Sequence, residues 1–365
     1  MPLIITITLN KAMSEKNKFR FSLECPLPEL DFTHITLGHG SGGLLTNQLL
    51  DNGVFKLFKS EHLQQRHDGV ILPTSDRTAF TTDSFVVSPI FFPGGNIGDL
   101  AVNGTVNDIA MCGAIPKYLS LSLILEEGLP IEELWEILLS IDNAAQKAGV
   151  EIVTGDTKVV DRGKGDKIFI NTTGIGEVIS GAEMGIEMIK DNDVVICSNS
   201  IAHHGITIML EREEMSFESN IQSDSRPLHK AVQDVINKFG NSVRILRDPT
   251  RGGVATVLNE IAQQAKVGID LDQAGIQVDE SVASACEILG LDPLYVANEG
   301  VFICIIDASH AEACVSLLRQ KEGCKNASII GSINLEHPSK VLMKSGIGGR
   351  RVINMLAGEQ LPRIC

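Results

Sequence analysis

The last five residues of the chain, Leu361-Pro362-Arg363-Ile364-Cys365, place a thiol at the C-terminus. Pro362 cannot continue a helix, so we do not expect a helical segment to carry this thiol back into a core. The pattern predicts an exposed, mobile thiol that can reach into a pocket. Terminal residues are more often frayed and without function, so position alone does not assign Cys365 a role.

Aspartates recur beside glycines, in turns and at the expected ends of strands. They are Asp68, Asp83, Asp108 and Asp156 in the first half and Asp248 in the second. Mg²⁺ is bound in proteins by a few carboxylates together with phosphate oxygens and water. Each aspartate alone is more often a turn or helix N-cap residue. Five of them in similar contexts favour a site for a polyphosphate and its metal ion.

Two Gly-rich turns precede expected helices, at residues 38–43 and 250–253. The chain lacks the GxxxxGK[ST] motif, which excludes a P-loop protein. A Gly-rich turn at a helix N-terminus still offers backbone N–H groups to a phosphate, although such a turn by itself is weak evidence. Lys158, two residues after Asp156, is a candidate phosphate ligand, while a lone lysine is usually only solvated.

Glu299 lies between an apolar stretch and the expected strand that follows it. Burial at the end of a strand raises the pKa of a carboxyl group and makes the carboxylate a usable base. The alternative is a turn glutamate whose oxygens accept backbone hydrogen bonds. The adjacent His203 and His204 are a poor metal site because neighbouring side chains on a strand point apart.

Length and composition limit the possible classes of protein. The 365 residues exceed one ordinary core and indicate two domains. The formal net charge of −15 argues against a nucleic-acid partner. The eight cysteines contain no CxxC pair, so we expect reduced thiols and a cytoplasmic location rather than a disulfide scaffold. No stretch approaches the about 18 apolar residues of a membrane helix, and no signal peptide is expected.

Hydrophobic periodicity predicts mixed secondary structure in both halves. We expect helices at 96–113, 131–149, 229–239 and 253–266, and strands at 77–82, 118–125, 151–154, 167–178, 193–198 and 301–307. Strands and helices do not alternate strictly, which favours an α+β fold of two similar domains over a Rossmann sheet.

The expected domain limits follow from this pattern. They are an N-terminal extension at 1–36, a first domain at 37–180, a second domain at 190–345, and a flexible tail at 346–365 that ends in the reactive cysteine. Gly346, Gly348 and Gly349 would form the hinge of the tail.

Seven segments together resemble the HypE family of hydrogenase maturation proteins. The segments are GHGSGG (38–43), TTDSFVV (81–87), NGTVND (103–108), GDTKVV (155–160), DPTRGG (248–253), ANEG (297–300) and PRIC (362–365). The Asp-rich segments are similar to those of the wider ATP-binding superfamily that includes aminoimidazole ribonucleotide (AIR) synthetase and selenophosphate synthetase. The PRIC ending is typical of the HypE family alone.

The resemblance implies a fold, an activity and partners. It implies an α/β-type two-domain ATP-binding fold that forms a homodimer through the strands of the first domain. A carbamoyltransferase, HypF, would place a carbamoyl group on the terminal cysteine, and ATP would drive its dehydration to a thiocyanate. The cyanide would then pass to the iron of a NiFe hydrogenase through a HypC–HypD complex.

The resemblance also implies roles for single residues. Cys365 would carry the group, Glu299 would act as a base near the tail, and Lys158 would hold phosphate. Mg²⁺ would be bound by Asp83, Asp108, Asp156 and Asp248. The ATP site would contain these four aspartates together with Asp68, Asn107, Gly40, Gly42 and Gly43.

Two departures and two alternatives accompany the resemblance. The N-terminal extension has no counterpart in the family core, and Ile201 and Ala202 stand where more Gly or Asp is expected. One alternative is another synthetase or kinase of the superfamily that acts on a free small molecule, for which the tail would be dispensable. The other is a non-catalytic scaffold whose basic, amphipathic tail docks a partner without consuming ATP.

Overall fold

The computed structural model describes residues 32–40, 44–64, 72–73, 76–213, 221–346, 348–355 and 363–365. The first domain contains α1 (Leu44–Leu49), α2 (Phe55–Leu57), α3 (Glu61–Gln64), β1 (Thr78–Phe85), β2 (Phe91–Phe92), β3 (Gly95–Asn96), α4 (Ile97–Met111), β4 (Ala114–Glu126), α5 (Ile131–Ala148), β5 (Glu151–Val160) and β6 (Ile168–Val178). The second domain contains β7 (Val194–Cys197), α6 (His203–Arg212), α7 (His229–Phe239), β8 (Val243–Arg247), α8 (Gly253–Ala265), β9 (Gly268–Asp272), α9 (Glu280–Leu289), β10 (Ile303–Ile306), α10 (Ala311–Leu318), β11 (Ser328–Asn334), β12 (Val341–Lys344) and β13 (Arg350–Ile353).

The first domain is built on a four-stranded sheet with the order β1-β6-β4-β5. Strands β4 and β5 are parallel, and the other two pairs are antiparallel. One face of the sheet is buried under α4. The alternate side chains of β4 on this face are mostly leucines, and β6 contributes Ile168, Ile170 and small residues. The opposite face keeps Phe80 and Ile124 exposed.

The two long helices of this domain have clear start and stop signals. Asn96 caps α4: its side chain accepts from the Gly98 N–H at 2.8 Å, while the Asp99 carboxylate accepts from the Asn96 N–H. Helix α5 buries apolar residues at helical spacing and ends at Gly149, which has a left-handed φ of 70°. Both helices match the sequence-based expectation.

The second domain is built on a seven-stranded sheet with the order β13-β12-β9-β11-β7-β10-β8. Its central strands are buried on both faces, which explains the continuous apolar sequences of β7 and β10. The expected α+β class with two domains is therefore confirmed.

The expected start of the flexible tail, at residue 346, lies too early in the chain. Residues Arg350–Ile353 form the edge strand β13, which pairs antiparallel with β12. Gly346, Gly348 and Gly349 lie in the connecting hairpin turn, where Gly348 has a left-handed φ of 88° and its N–H donates to the Ser345 carbonyl. These glycines therefore form a hydrogen-bonded turn instead of the expected hinge.

Asn107 in α4 connects the two domains. Its amide nitrogen donates to the carbonyls of Arg226 at 3.0 Å and Glu299 at 3.2 Å, and its amide oxygen accepts from the Leu228 N–H at 2.8 Å. All three partners belong to the second domain, so this side chain ties α4 to that domain, as does Asn103, whose amide donates to the Ser225 hydroxyl at 3.0 Å. Across the described residues, no helix is long and apolar enough to cross a membrane.

Candidate functional site

The site lies where the two domains meet. β1 and α4 of the first domain contribute Asp83 and Asp108, and the turn after β8 contributes Asp248. The segment before β10 adds Glu299, and the chain terminus adds Cys365. Hydrogen bonds bring these segments side by side: the Thr81 hydroxyl donates to Asp108, the Val86 N–H donates to the Cys365 carbonyl, and the Asn298 N–H donates to the Pro249 carbonyl.

Asp83 and Asp108 are held by short local hydrogen bonds. Asp83 accepts from the Ser84 N–H at 2.7 Å, and Asp108 accepts from the Thr81 hydroxyl at 2.9 Å. Burial raises the pKa of both carboxyl groups, and the charge of Asp83 raises that of Asp108 further. The helix approaches the strand closely because Gly104 has no side chain: a Cβ there would lie 2.8 Å from the Phe85 ring.

Asp248 is the most perturbed of the three aspartates. Burial, and then the charge of Asp108, raise the pKa of its carboxyl group to about 7, although Arg247 opposes the shift. The following turn contains Gly252 and Gly253, with φ values of 69° and 62°. This left-handed pair starts helix α8, so its backbone lies at a positive helix end beside the carboxylates.

Glu299 is buried in an interior position, with 4% of its surface exposed. Its backbone N–H donates to Asp224 at 3.2 Å, and the neighbouring Asn298 side chain is hydrogen bonded to Ala202 and Pro249. The Oε1 atom has no hydrogen-bond partner among the described residues. Burial and the negative charge of Asp224 raise the pKa of Glu299 well above its ordinary value. This carboxyl group is therefore poised to exchange a proton.

Cys365 is buried, with 9% of its surface exposed, so the expectation of an exposed terminal thiol is wrong. The physical reason is pairing of the terminus with the chain after β1. The Cys365 carbonyl accepts from the Val86 N–H at 3.1 Å, and the Arg363 carbonyl accepts from the Ser88 N–H at 3.3 Å. Ile364 between them is packed in the core of the first domain. The terminus is therefore docked against the first domain with its thiol inside the fold.

Two charged groups face the docked thiol. Burial and the nearby Glu299 carboxylate raise the pKa of the Cys365 thiol to about 11, while the Arg251 guanidinium works in the opposite direction. Arg251 also lies 3.7 Å from an Asp83 oxygen. A docked, unmodified Cys365 is therefore a neutral thiol at pH 7 and a poor nucleophile.

Asp156 and Lys158 do not join this cluster within one chain. Asp156 was expected after a strand but lies inside β5, at the sheet edge opposite β1. Three strand spacings, about 14 Å, separate the two edges. Asp156 pairs with Ser122 of β4, which places it on the open face of the sheet, whereas Asp83 faces α4. Asp156 and Lys158 form an exposed ion pair at 2.7 Å.

The remaining expected ATP ligands have different outcomes. Asn107 is buried and its amide is engaged by the second domain, which gives it a positioning role in this geometry. Gly40 closes the short helical turn Leu37–Gly40. Asp68, Gly42 and Gly43 lie outside the described residues.

The carboxylate cluster offers some of the donors that a magnesium ion would need. In the part of the chain that the structure describes, no three His, Cys, Asp or Glu side chains are spaced to hold a metal ion by themselves. The donor chemistry nevertheless fits Mg²⁺, because Asp83, Asp108 and Asp248 repel one another and a cation would relieve that repulsion. Mg²⁺ commonly takes one or two carboxylates and completes its shell with phosphate oxygens and water.

Sequence reasoning missed several residues of the site. Asp224 was not among the expected site residues, yet it is buried and accepts from the N–H groups of Glu299 and Gly300. Arg251 stood within a quoted motif without a role, and His204 was considered only as a metal ligand. The signal that could have found Asp224 is weak, because an aspartate in a polar stretch is ordinarily solvated.

Comparisons with known proteins identify the family of the chain. Residues 66–178 match the family model described as AIR synthase related protein, N-terminal domain, and residues 190–344 match the corresponding C-terminal domain. Carbamoyl dehydratase HypE of Rhizobium leguminosarum bv. viciae is 46% identical over 332 residues, which cover 91% of this chain and 95% of the relative. The Escherichia coli protein of the same name is 40% identical over 338 residues, 91% of this chain and 99% of the relative.

Solved structures give the same result. A crystal structure of hydrogenase maturation protein HypE in complex with ATP superimposes with a TM-score of 0.87 at 44% identity, covering 90% of this chain and 99% of that one. HypE in a HypE–HypF complex superimposes with a TM-score of 0.75 at 42% identity, covering 84% and 99%. Thiamine monophosphate kinase from Aquifex aeolicus shares only the fold, with a TM-score of 0.54 at 18% identity over 79% and 92%. The chain therefore belongs to the HypE family of carbamoyl dehydratases, within the AIR synthase related proteins.

Proposed function

We propose that this protein dehydrates an S-carbamoyl group on its own Cys365 to an S-thiocyanate, with ATP as the co-substrate, and so provides the cyanide ligand for the iron of NiFe hydrogenase. One observation carries the proposal: the terminal thiol is docked beside a buried carboxyl group, Glu299, and close to three further carboxylates. This arrangement suits a chain that modifies its own terminus. It does not suit an enzyme whose substrate diffuses in, because the tail occupies the site.

Glu299 supports the proton-transfer part of the reaction. The carbamoyl nitrogen must lose two protons before a nitrile forms, and a carboxylate with a raised pKa is a stronger base than an ordinary one. The Oε1 atom without a partner is free to face the nitrogen of the docked group. Attachment to Cys365 makes the reaction intramolecular, which lowers the barrier through positioning.

ATP would supply phosphorylation of the carbamoyl oxygen, which turns a poor leaving group into phosphate. Asp83, Asp108 and Asp248 would hold the Mg²⁺ that accompanies the phosphates, and the Gly252–Gly253 turn would offer backbone N–H groups at the start of α8. Arg251 beside the thiol would offset negative charge that develops on the transferred group. The HypE relative solved with ATP supports this assignment.

We further propose a homodimer formed through the open face of the first-domain sheet. That face carries Phe80 and Ile124, which are 67% and 43% exposed, together with small polar side chains. A sheet face that exposes large apolar side chains and has no covering layer is typical of an interface. Asp156 and Lys158 lie on the same face, so in a dimer they would contact a second copy, where Lys158 could hold phosphate.

The proposed partners follow from the tethered substrate. A carbamoyltransferase must reach Cys365, and the relative solved as a HypE–HypF complex supports HypF in that role. After dehydration the cyanide must pass to iron, for which we propose a HypC–HypD complex as the acceptor. Both steps require the tail to leave its docked position, since the thiol there is buried and neutral.

Mass spectrometry of the C-terminal peptide tests the proposal. The full chain is incubated with HypF, carbamoyl phosphate and ATP, and the mass of the peptide that contains Cys365 is measured at intervals. We expect the mass of one carbamoyl group to appear and then the loss of one water that depends on ATP. Cys365→Ala should show neither change. Full hydrogenase maturation by Cys365→Ala, or turnover of a free small molecule by that variant, would favour another activity of the superfamily.

A further inference from the structure

The docked terminus pairs with the first domain in an antiparallel register. The carbonyls of Arg363 and Cys365 accept from the N–H groups of Ser88 and Val86, so successive carbonyls of the tail alternate in direction. The Ile364 carbonyl therefore points away from the first domain. It points toward α6 of the second domain.

His204 in α6 receives that carbonyl. The Nε2 atom lies 2.7 Å from the Ile364 oxygen, and the Nδ1 atom lies 2.8 Å from the Ser223 hydroxyl. A carbonyl can only accept, so Nε2 carries the hydrogen and Nδ1 accepts from Ser223. The side chain is fully buried and its ring packs edge-on against Phe92 at 5.6 Å. Both ring nitrogens and the ring orientation are thus fixed.

A second group on α6 acts on the same segment. Arg212 lies at the C-terminal end of the same helix as His204. Its guanidinium donates to the carbonyls of Ser88 and Arg363. The tail is therefore held from both domains, by backbone N–H groups on one side and by α6 on the other.

We propose that His204 is a positioning residue that sets the register of the docked tail and so places Sγ of Cys365 beside Glu299. The inference rests on the proposed function for its purpose, but its geometry concerns only the tail. A shift of one residue along the pairing would turn the Ile364 carbonyl toward the first domain. It would also turn the cysteine away from the carboxylates, so the His204 hydrogen bond selects the productive register.

Alkylation of Cys365 by iodoacetamide, followed by peptide mass mapping, tests the proposal without ATP or a partner. Labelling of a buried thiol is governed by the population of the undocked tail. We expect His204→Ala to label about tenfold faster at Cys365, which is the effect of losing one buried hydrogen bond. His204→Gln can still donate to the carbonyl and should restore much of the protection. His203→Gln, next to it on α6 and paired with Asp279, should label as the unmodified chain does.

Two further measurements separate positioning from general stability. Cys112 is exposed, and its labelling rate should be the same in every variant. His204→Ala should lose more thermal stability in the full chain than in a chain that lacks residues 363–365, because the hydrogen bond to the Ile364 carbonyl contributes only in the full chain. The loss of ring packing on Phe92 is common to both chains. If His204→Ala does not fold, Ser223→Ala is used instead, because it removes the hydroxyl that orients the ring. Faster labelling of Cys365 is then expected in Ser223→Ala.

The outcomes distinguish this proposal from the proposed function. Faster labelling of Cys365 with no carbamoyl chemistry would support the docking role of His204 and sink the carbamoyl dehydratase assignment. Labelling at the unmodified rate in both His204→Ala and Ser223→Ala would overturn the docking role and leave the proposed activity standing. A stability loss of equal size in the full and truncated chains would also overturn it.

Discussion

At the scale of residues, the site contains carboxyl groups whose charged forms are costly to bury. Asp248 and Glu299 have carboxyl pKa values raised by burial, and no described hydrogen bond satisfies Oε1 of Glu299. Buried carboxyl groups with raised pKa values destabilise the folded state and are typical of sites that bind a cation or transfer protons. The two carboxyl groups therefore give separate predictions, one on activity and one on stability.

Replacing Glu299 by glutamine should slow dehydration about 10²- to 10⁴-fold while carbamoylation of Cys365 proceeds, because the amide cannot accept the proton. In the unmodified chain the rate should fall as the pH falls through a pKa above the ordinary carboxyl value of 4.5. Single-turnover conversion of the carbamoylated chain across a pH series measures both. Glu312→Gln on α10 is the control, and an unchanged rate in Glu299→Gln would remove this residue from the base role.

Replacing Asp248 by asparagine should make the free energy of unfolding less sensitive to pH. The pKa of Asp248 is raised from 3.8 to about 7 in the fold, so the folded state binds the proton more tightly and this group's contribution to stability is lost as the pH rises through 7. We expect the variant to gain about 1–2 kcal/mol relative to the unmodified chain between pH 5.5 and pH 8. Urea unfolding of both proteins at pH 5.5 and at pH 8 measures the gain. A difference in free energy of unfolding between variant and unmodified chain that is the same at both pH values would contradict the prediction.

At the scale of elements, the segment around Asp224 holds the Glu299 backbone in place. Asp224 accepts from two successive backbone N–H groups, those of Glu299 and Gly300. The approach is so close that a Cβ at Gly300 would collide with the Asp224 carbonyl. The loop and the segment before β10 can pack this way only because residue 300 has no side chain.

Gly300→Ala should therefore destabilise the protein by about 1–3 kcal/mol, because the loop must move away from the added methyl group. The displaced backbone also moves Glu299, so dehydration should fall with stability. Thermal unfolding and single-turnover conversion measure the two effects. Gly346→Ala is a matched control, since a Cβ there meets nothing within 4 Å, and it should change stability by less than about 0.5 kcal/mol. Equal stabilities of the two variants would contradict the packing argument.

At the scale of the whole molecule, the two domains share one site, and the sheet of the first domain has an open face that carries the exposed side chains of Phe80 and Ile124. Covering that face with a second copy would bury Phe80 and Ile124 and would bring Asp156 and Lys158 against the partner. The carboxylates of β1 and α4 are already gathered within one chain. A dimer would thus complete the site with the residues that the single chain keeps apart.

Phe80→Asp should convert the proposed dimer to monomers, because burying an unpaired charge in an apolar interface is strongly unfavourable. Sedimentation velocity of the two forms at equal concentration measures the change. Ile288→Asp is the matched control, since Ile288 is similarly exposed, at 61% against 67%, but lies on α9 of the second domain. A monomeric unmodified chain, or an undisturbed dimer of Phe80→Asp, would exclude this face as the interface.

Much of the fold and part of the site follow from local sequence. Helices α4 and α5 were predicted nearly to the residue because their apolar spacing and end signals are local. Asp83, Asp108 and Asp248 were predicted as one cluster, and they converge. Asp156 was grouped with them wrongly for a single chain, because the face and edge on which a strand residue lies depend on the pairing of distant strands.

The sequence by itself determined which chemistry the chain carries: a terminal cysteine, a set of aspartates beside glycines, and the motifs of the HypE family. These are properties of residue type and local spacing. Only the tertiary structure decided that Cys365 is buried, that Glu299 has an unpaired oxygen and that His204 meets the tail. Each of these depends on contacts between residues more than 60 positions apart, and no local pattern encodes such contacts because they form when the two domains pack together.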